Sequence, residues 1–199
     1  MENLKAYFNA GMPGSISFQE YIQLTNQLVA ERKTTGPNQS DFYVDLTKLN
    51  LHRMQRILKT TKLNSSLINR LQESEPQQWL MITEAWCGDA AQNGPVLSLM
   101  ADAAPHISLR VVLRDEHTEL IDEVLTNGGR SIPRLVAFNA RGEVRFVWGP
   151  RPEPAQAMVL AYKALPEPKK SYADFSVEVQ KWYAADGTAT LQSELLDLI

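Results

Sequence analysis

The sequence predicts an α/β domain built on a mixed sheet, on three observations. Trp79-Leu80-Met81-Ile82-Thr83 is a short apolar run, in part β-branched, as expected of a strand buried on both faces. From that point strand-like and helix-like segments alternate as far as Leu165. Leu135-Val136-Ala137-Phe138 and Val144-Arg145-Phe146-Val147-Trp148 flank the turn signal Asn139-Ala140-Arg141-Gly142, which predicts an antiparallel hairpin.

The elements follow in order. Ser17-Phe18-Gln19-Glu20 fits a capping box, and Phe18, Tyr21, Ile22, Leu28 and Val29 then recur at helical spacing, so a helix opens there and stops before Gly36-Pro37. Phe42-Tyr43-Val44 reads as a short strand. Leu51, Met54, Ile57 and Leu58 share one face of a second helix. Asn64-Ser65-Ser66 caps a third, which carries Leu67, Ile68 and Leu71 and ends at Glu73-Ser74-Glu75-Pro76. After the central strand, Ala90 to Ala103 predicts a helix with Val96, Leu97 and Met100 on one face. Pro95 lies inside it, where a missing N–H and a ring clash kink the axis. Ile107 to Leu113 is the next strand. Glu116 to Leu125 gives a helix, and Asn127-Gly128-Gly129 stops it. Beyond the hairpin, Pro152 and Pro154 open a helix through Met158, Leu160, Ala161 and Leu165, closed by Pro166-Glu167-Pro168. Tyr172, Phe175, Val179, Trp182 and Tyr183 form an aromatic stripe on a tail helix. Gly187 separates it from Leu191, Leu195, Leu196, Leu198 and Ile199. This tail is expected to cover sheet faces or edges, or to make a dimer contact.

Composition narrows the function. At 199 residues and 44% hydrophobic, the chain is long enough for one cored domain with additions. Its 20 basic and 23 acidic residues are dispersed, net −3, with no basic stripe to track phosphate, so nucleic acid is not an expected partner. No apolar stretch approaches the ~20 residues that span a bilayer. The start, Met1-Glu2-Asn3-Leu4-Lys5, lacks a signal-peptide layout, and a soluble, cytoplasmic protein is expected. His52, His106 and His117 are scattered without ligand spacing, so neither a metal nor another cofactor is expected. One cysteine, Cys87, excludes an internal disulfide.

Trp86-Cys87-Gly88, Pro95 in the helix that follows, Ser131-Ile132-Pro133, and Gly149 after the last strand are four spaced landmarks. Together they resemble the thioredoxin family over about residues 76–165. The resemblance implies a thioredoxin-like fold, a central mixed β-sheet flanked by helices. Residues 1–76 form an N-terminal helical extension packed on the core, 77–166 the core, and 167–199 a C-terminal helical extension, all in one compact unit. It further implies that Cys87 is the attacking thiol and that Pro133 is the family's cis proline facing it. Ile132 then offers its backbone to an extended peptide or a mixed disulfide, and Trp86 supplies an apolar wall.

A cysteine at a helix N-terminus gains from free backbone N–H groups and the helix dipole, which can bring its pKa down to ~3.5–7.5. Cys87 has that placement. Asp89 opposes a thiolate beside it while favouring the helix N-terminus, so its effect on Cys87 has two signs. Gly88 and Arg134 complete the set of modulating residues, the latter as a nearby positive charge. Glu84 is a candidate base, or a solvent-facing residue at the strand end. The family's second cysteine is replaced by Ala90, and its buried acid by Met81. The resolving thiol is therefore missing.

Three readings remain open. Cys87 forms a mixed disulfide with a protein or with a small thiol such as glutathione, and an external thiol resolves it. Alternatively the fold is a redox-inert interaction module and Cys87 a small buried hydrophobe. The third is a peroxide sensor, in which Cys87 becomes a sulfenic acid. A monomer or weak homodimer fits any of them.

Overall fold

The computed structural model describes residues 1–199. Helix α1 (Glu2–Asn9) and the two-residue strand β1 (Ile16–Ser17) come first, followed by α2 (Phe18–Ala30), α3 (Asp41–Thr60) and α4 (Ser65–Glu73). The central part runs β2 (Gln77–Thr83), α5 (Gly88–Asp102), β3 (Ile107–Leu113), α6 (Thr118–Ile121), β4 (Arg134–Asn139) and β5 (Val144–Trp148). Helices α7 (Glu153–Ala164), α8 (Tyr172–Asp186) and α9 (Ala189–Leu198) end the chain. No helix is long and apolar enough to cross a membrane.

The sheet order is β1-β3-β2-β4-β5. Strands β2 and β3 are parallel, and every other pairing is antiparallel, so the sheet is mixed as the alternation and hairpin predict. The two-residue period of β2 decides which core each side chain enters. Trp79 and Met81 join the larger cluster, with Phe18 and Tyr21 of α2, Met54 of α3, Leu97 of α5, and Leu191 and Leu195 of α9. Leu80 and Ile82 join the smaller one, with Leu4 of α1, Leu120 and Ile121 of α6, and Cys87. A strand covered on both faces is mostly apolar, as Trp79 to Ile82 are here, which is why this run was legible.

The capping box forms in both directions: the Ser17 amide donates to Glu20 Oε2 at 2.7 Å, and the Glu20 amide donates to Ser17 Oγ at 3.2 Å. Two expectations are corrected. Phe42-Tyr43-Val44 is not a strand but the first turn of α3, whose buried face continues from Val44 through Thr47, Leu51, Met54 and Ile57. The helical spacing beyond residue 50 extends back through this apolar triplet and overrides its β-propensity. The helix expected over 116–125 is a single turn, α6, continued by a 3₁₀ turn over Asp122–Val124. Only Leu120, Ile121 and Val124 reach the core, and the chain then reverses at Asn127 and Gly128, both with positive φ.

Helix α1 and strand β1 add to the expected elements, and Leu4, Tyr7 and Phe8 give α1 its helical spacing. The Glu123 carboxylate accepts the Asn3 and Leu4 amides at 2.9 and 3.0 Å, capping the α1 N-terminus from across the fold. The tail divides at Gly187, whose φ of 58° ends α8. Helix α9 packs into the main core, while the aromatic stripe of α8 packs on α7, not on the sheet. Ala155, Val159 and Tyr162 of α7 and Phe175, Val179 and Tyr183 of α8 form an apolar cluster of their own.

Candidate functional site

The strand β2 delivers Trp86 and Cys87 into the start of α5, as a strand followed directly by a helix does at the carboxyl edge of a sheet. Cys87 is the N-cap of α5, and the Ala90 amide points at Sγ from 3.5 Å. On its other side, the thiol donates to the Ile132 carbonyl oxygen at 3.3 Å. The structure therefore brings together two residues 45 apart in sequence. The Ile132–Pro133 peptide bond is cis.

Cys87 is only 6% exposed. Burial pushes its thiol up to about 12, and the Asp89 charge adds to this. The Ala90 amide, the Arg151 charge and the Asp89 amide act the other way without offsetting it. The helix N-terminus thus contributes in the direction that the sequence suggests, but withdrawal from water is larger. At neutral pH the sulfur is a protonated thiol with its hydrogen aimed at Ile132.

Asp89 does not face outward. Its Oδ2 accepts Arg151 Nη2 at 2.6 Å and Nε at 3.0 Å, and its Oδ1 accepts the Tyr183 hydroxyl at 2.9 Å. Burial holds the Tyr183 hydroxyl well above its ordinary pKa, so it stays a donor. Asn93 Nδ2 donates to the Tyr183 oxygen at 3.1 Å and to the Asp89 carbonyl at 2.9 Å. Gln92 Nε2 donates to Gln180 Oε1 at 2.8 Å. Gly88 fits beneath α8: a Cβ there would lie 3.3 Å from Gln180 Nε2 and 3.7 Å from Arg53 Nη1.

Trp86 is half-buried, with Tyr43 of α3 edge-on at 5.2 Å and the Arg114 guanidinium 5.0 Å over its ring. Pro133 is buried. Arg134 sends Nη1 to the Gly149 carbonyl oxygen, and its Nε is buried without a partner. The cation whose charge acts on Cys87 is Arg151. Gly149 is tied to the same loop, since a Cβ on it would lie 2.4 Å from the Pro133 carbonyl oxygen.

Glu84 is fully buried, which corrects the solvent-facing alternative. Its Oε1 accepts the Asp115 amide at 2.8 Å, anchoring the turn after β3. Burial raises its pKa, opposed by the Thr35 hydroxyl and the Asp115 amide. Arg151, Tyr183 and Gln180 are the site residues that sequence reading missed. No motif or spacing relates them to Asp89, because each approaches from an element remote in the chain.

A model of the family described as Thioredoxin matches residues 36–169, which takes in α3 and α4 as well as strands β2 to β5. No curated protein matches the sequence. Among solved structures, the chain is similar to a protein of unknown function from Pseudomonas aeruginosa, at 18% identity and a TM-score of 0.56 over 76% of this chain and 82% of that one. It is also similar to an HIV epitope-scaffold, at 17% identity and a TM-score of 0.54 over 92% and 97%. Both likenesses concern the fold.

Proposed function

The chain belongs to the thioredoxin family, and from that premise we propose that it is a one-thiol protein of mixed-disulfide exchange in the cytoplasm. Cys87 loses its proton to solvent and attacks one sulfur of a protein or glutathione disulfide. The partner's S–S bond breaks as the new S–S bond to Cys87 forms, and the other half leaves as a thiolate and takes up a proton. With Ala90 where a resolving thiol would stand, a second external thiol attacks the mixed disulfide. Cys87 returns to the thiol, and the external pair carries away the oxidation.

The observation that supports this reading is the place of Sγ, between the N-terminal amides of α5 and the Ile132 carbonyl. Incubating the folded protein with oxidised glutathione and weighing the intact chain tests it. A single adduct on Cys87, absent from Cys87→Ser, is expected. An adduct that forms only in denaturant would overturn it.

The redox-inert interaction module is the second reading, and it is favoured by the 6% exposure of Cys87 and by the thiol being pushed up to about 12. The same experiment separates the two.

A further inference from the structure

Helix α8 meets the start of α5 through polar side chains: Tyr183 on Asp89 and Asn93, and Gln180 on Gln92. Its apolar face is already satisfied by α7, since the cluster of Ala155, Val159, Tyr162, Phe175, Val179 and Tyr183 draws no residue from the sheet or from α5. The α7–α8 hairpin thus carries its own small core and is joined to the thiol site by hydrogen bonds. Both ends of the hairpin are fastened. The Glu194 carboxylate of α9 accepts the Glu153 amide at 2.7 Å, and α9 itself lies in the main core. Between α8 and α9, Gly187 and Thr188 both have positive φ, 58° and 76°. A β-branched residue in that region is strained, which marks Thr188 as the place where the backbone turns.

We propose that the α7–α8 hairpin is a movable cover on the Cys87 site, latched to α5 by Tyr183 and Gln180 and at its root by Arg151, and that its release admits the disulfide partner. The proposal rests on the exchange reading above for its purpose, but not for its test. An opening that keeps the α7–α8 core intact breaks a few hydrogen bonds and exposes little apolar surface, so it lies well below global unfolding. Losing one hydrogen bond to a charged group shifts such an opening roughly tenfold or more.

The test uses the full chain and its Tyr183→Phe and Gln180→Ala variants. Native alkylation of Cys87 by iodoacetamide reports access, and amide hydrogen exchange reports which helix opens. Expected are alkylation roughly tenfold faster in Tyr183→Phe and faster also in Gln180→Ala, melting that stays cooperative with a midpoint lowered by only a few degrees, and α8 amides that exchange ahead of those of α9 and β2. Alkylation at the wild-type rate in both folded variants would overturn the cover, as would α8 amides as protected as those of α9. The two proposals fail separately. A thiol that the variants expose but that forms no glutathione adduct sinks the exchange reading and leaves the cover. An adduct formed equally fast in all three proteins does the reverse.

Discussion

Arg151 and Asp89 form a two-bond ion pair at the foot of the helical hairpin, Nη2 and Nε meeting one carboxylate oxygen at 2.6 and 3.0 Å. Only 10% and 14% of the two side chains are exposed. A pair so far withdrawn from water is stable only while both charges are present, because either one alone is left desolvated.

Arg151→Met is therefore expected to lower unfolding stability by roughly 3 kcal/mol. The double variant Arg151→Met/Asp89→Asn should recover a large part of that loss. Urea unfolding of the four proteins checks it, and additive losses would show that the two residues are not coupled.

The Cys87 thiol gives a pH signature. Its folded pKa, pushed up to about 12, lies above the ~8.5 of an unfolded cysteine. The unfolded chain loses the proton first, so the stabilisation is complete below about pH 8.5 and is lost as pH rises toward 12. The stability difference between wild type and Cys87→Ala should shrink through that window. Native alkylation should also keep rising past pH 9, and a plateau near neutral pH would contradict the buried thiol.

Gly149 sets the Pro133 loop against β5. Its φ is 105°, and a Cβ would stand 2.4 Å from the Pro133 carbonyl oxygen, which is backbone and cannot simply rotate aside. Gly149→Ala should cost about 2 kcal/mol or more. Native alkylation of Cys87 should change with it, because Ile132 and Pro133 move together. A variant with wild-type melting would show that the loop can yield.

Helix α9 is core. Leu195 is fully buried in the main cluster, so Leu195→Ala should cost about 2–5 kcal/mol. Leu160 on α7 is 45% exposed, and its alanine variant should stay within about 0.5 kcal/mol of wild type. Thermal or urea unfolding of the pair distinguishes the roles of the two helices.

Much of the fold was legible because its signals are local. The run 79–83 is buried on both faces and apolar up to Thr83, and Ile107–Leu113 matches β3 residue for residue. Phe42-Tyr43-Val44 misled because three apolar residues carry no period of their own, and the helix to which they belong shows itself only further along. Helix α1 is short, with only Leu4, Tyr7 and Phe8 to mark it, and its cap comes from Glu123, on the far side of the sequence.

By itself, then, the sequence determined the order of strands and helices from β2 to α7, the placing of Cys87 at the head of α5, and the want of a resolving thiol at Ala90. Those are matters of periodicity, capping and residue identity, each contained within one or two turns of chain. Only the tertiary structure decided the sign of the effect on Cys87 and the use of Asp89. Desolvation depends on what is packed over a group, and the partners of Asp89, Arg151 and Tyr183, are brought to it by chain folding across 62 and 94 residues.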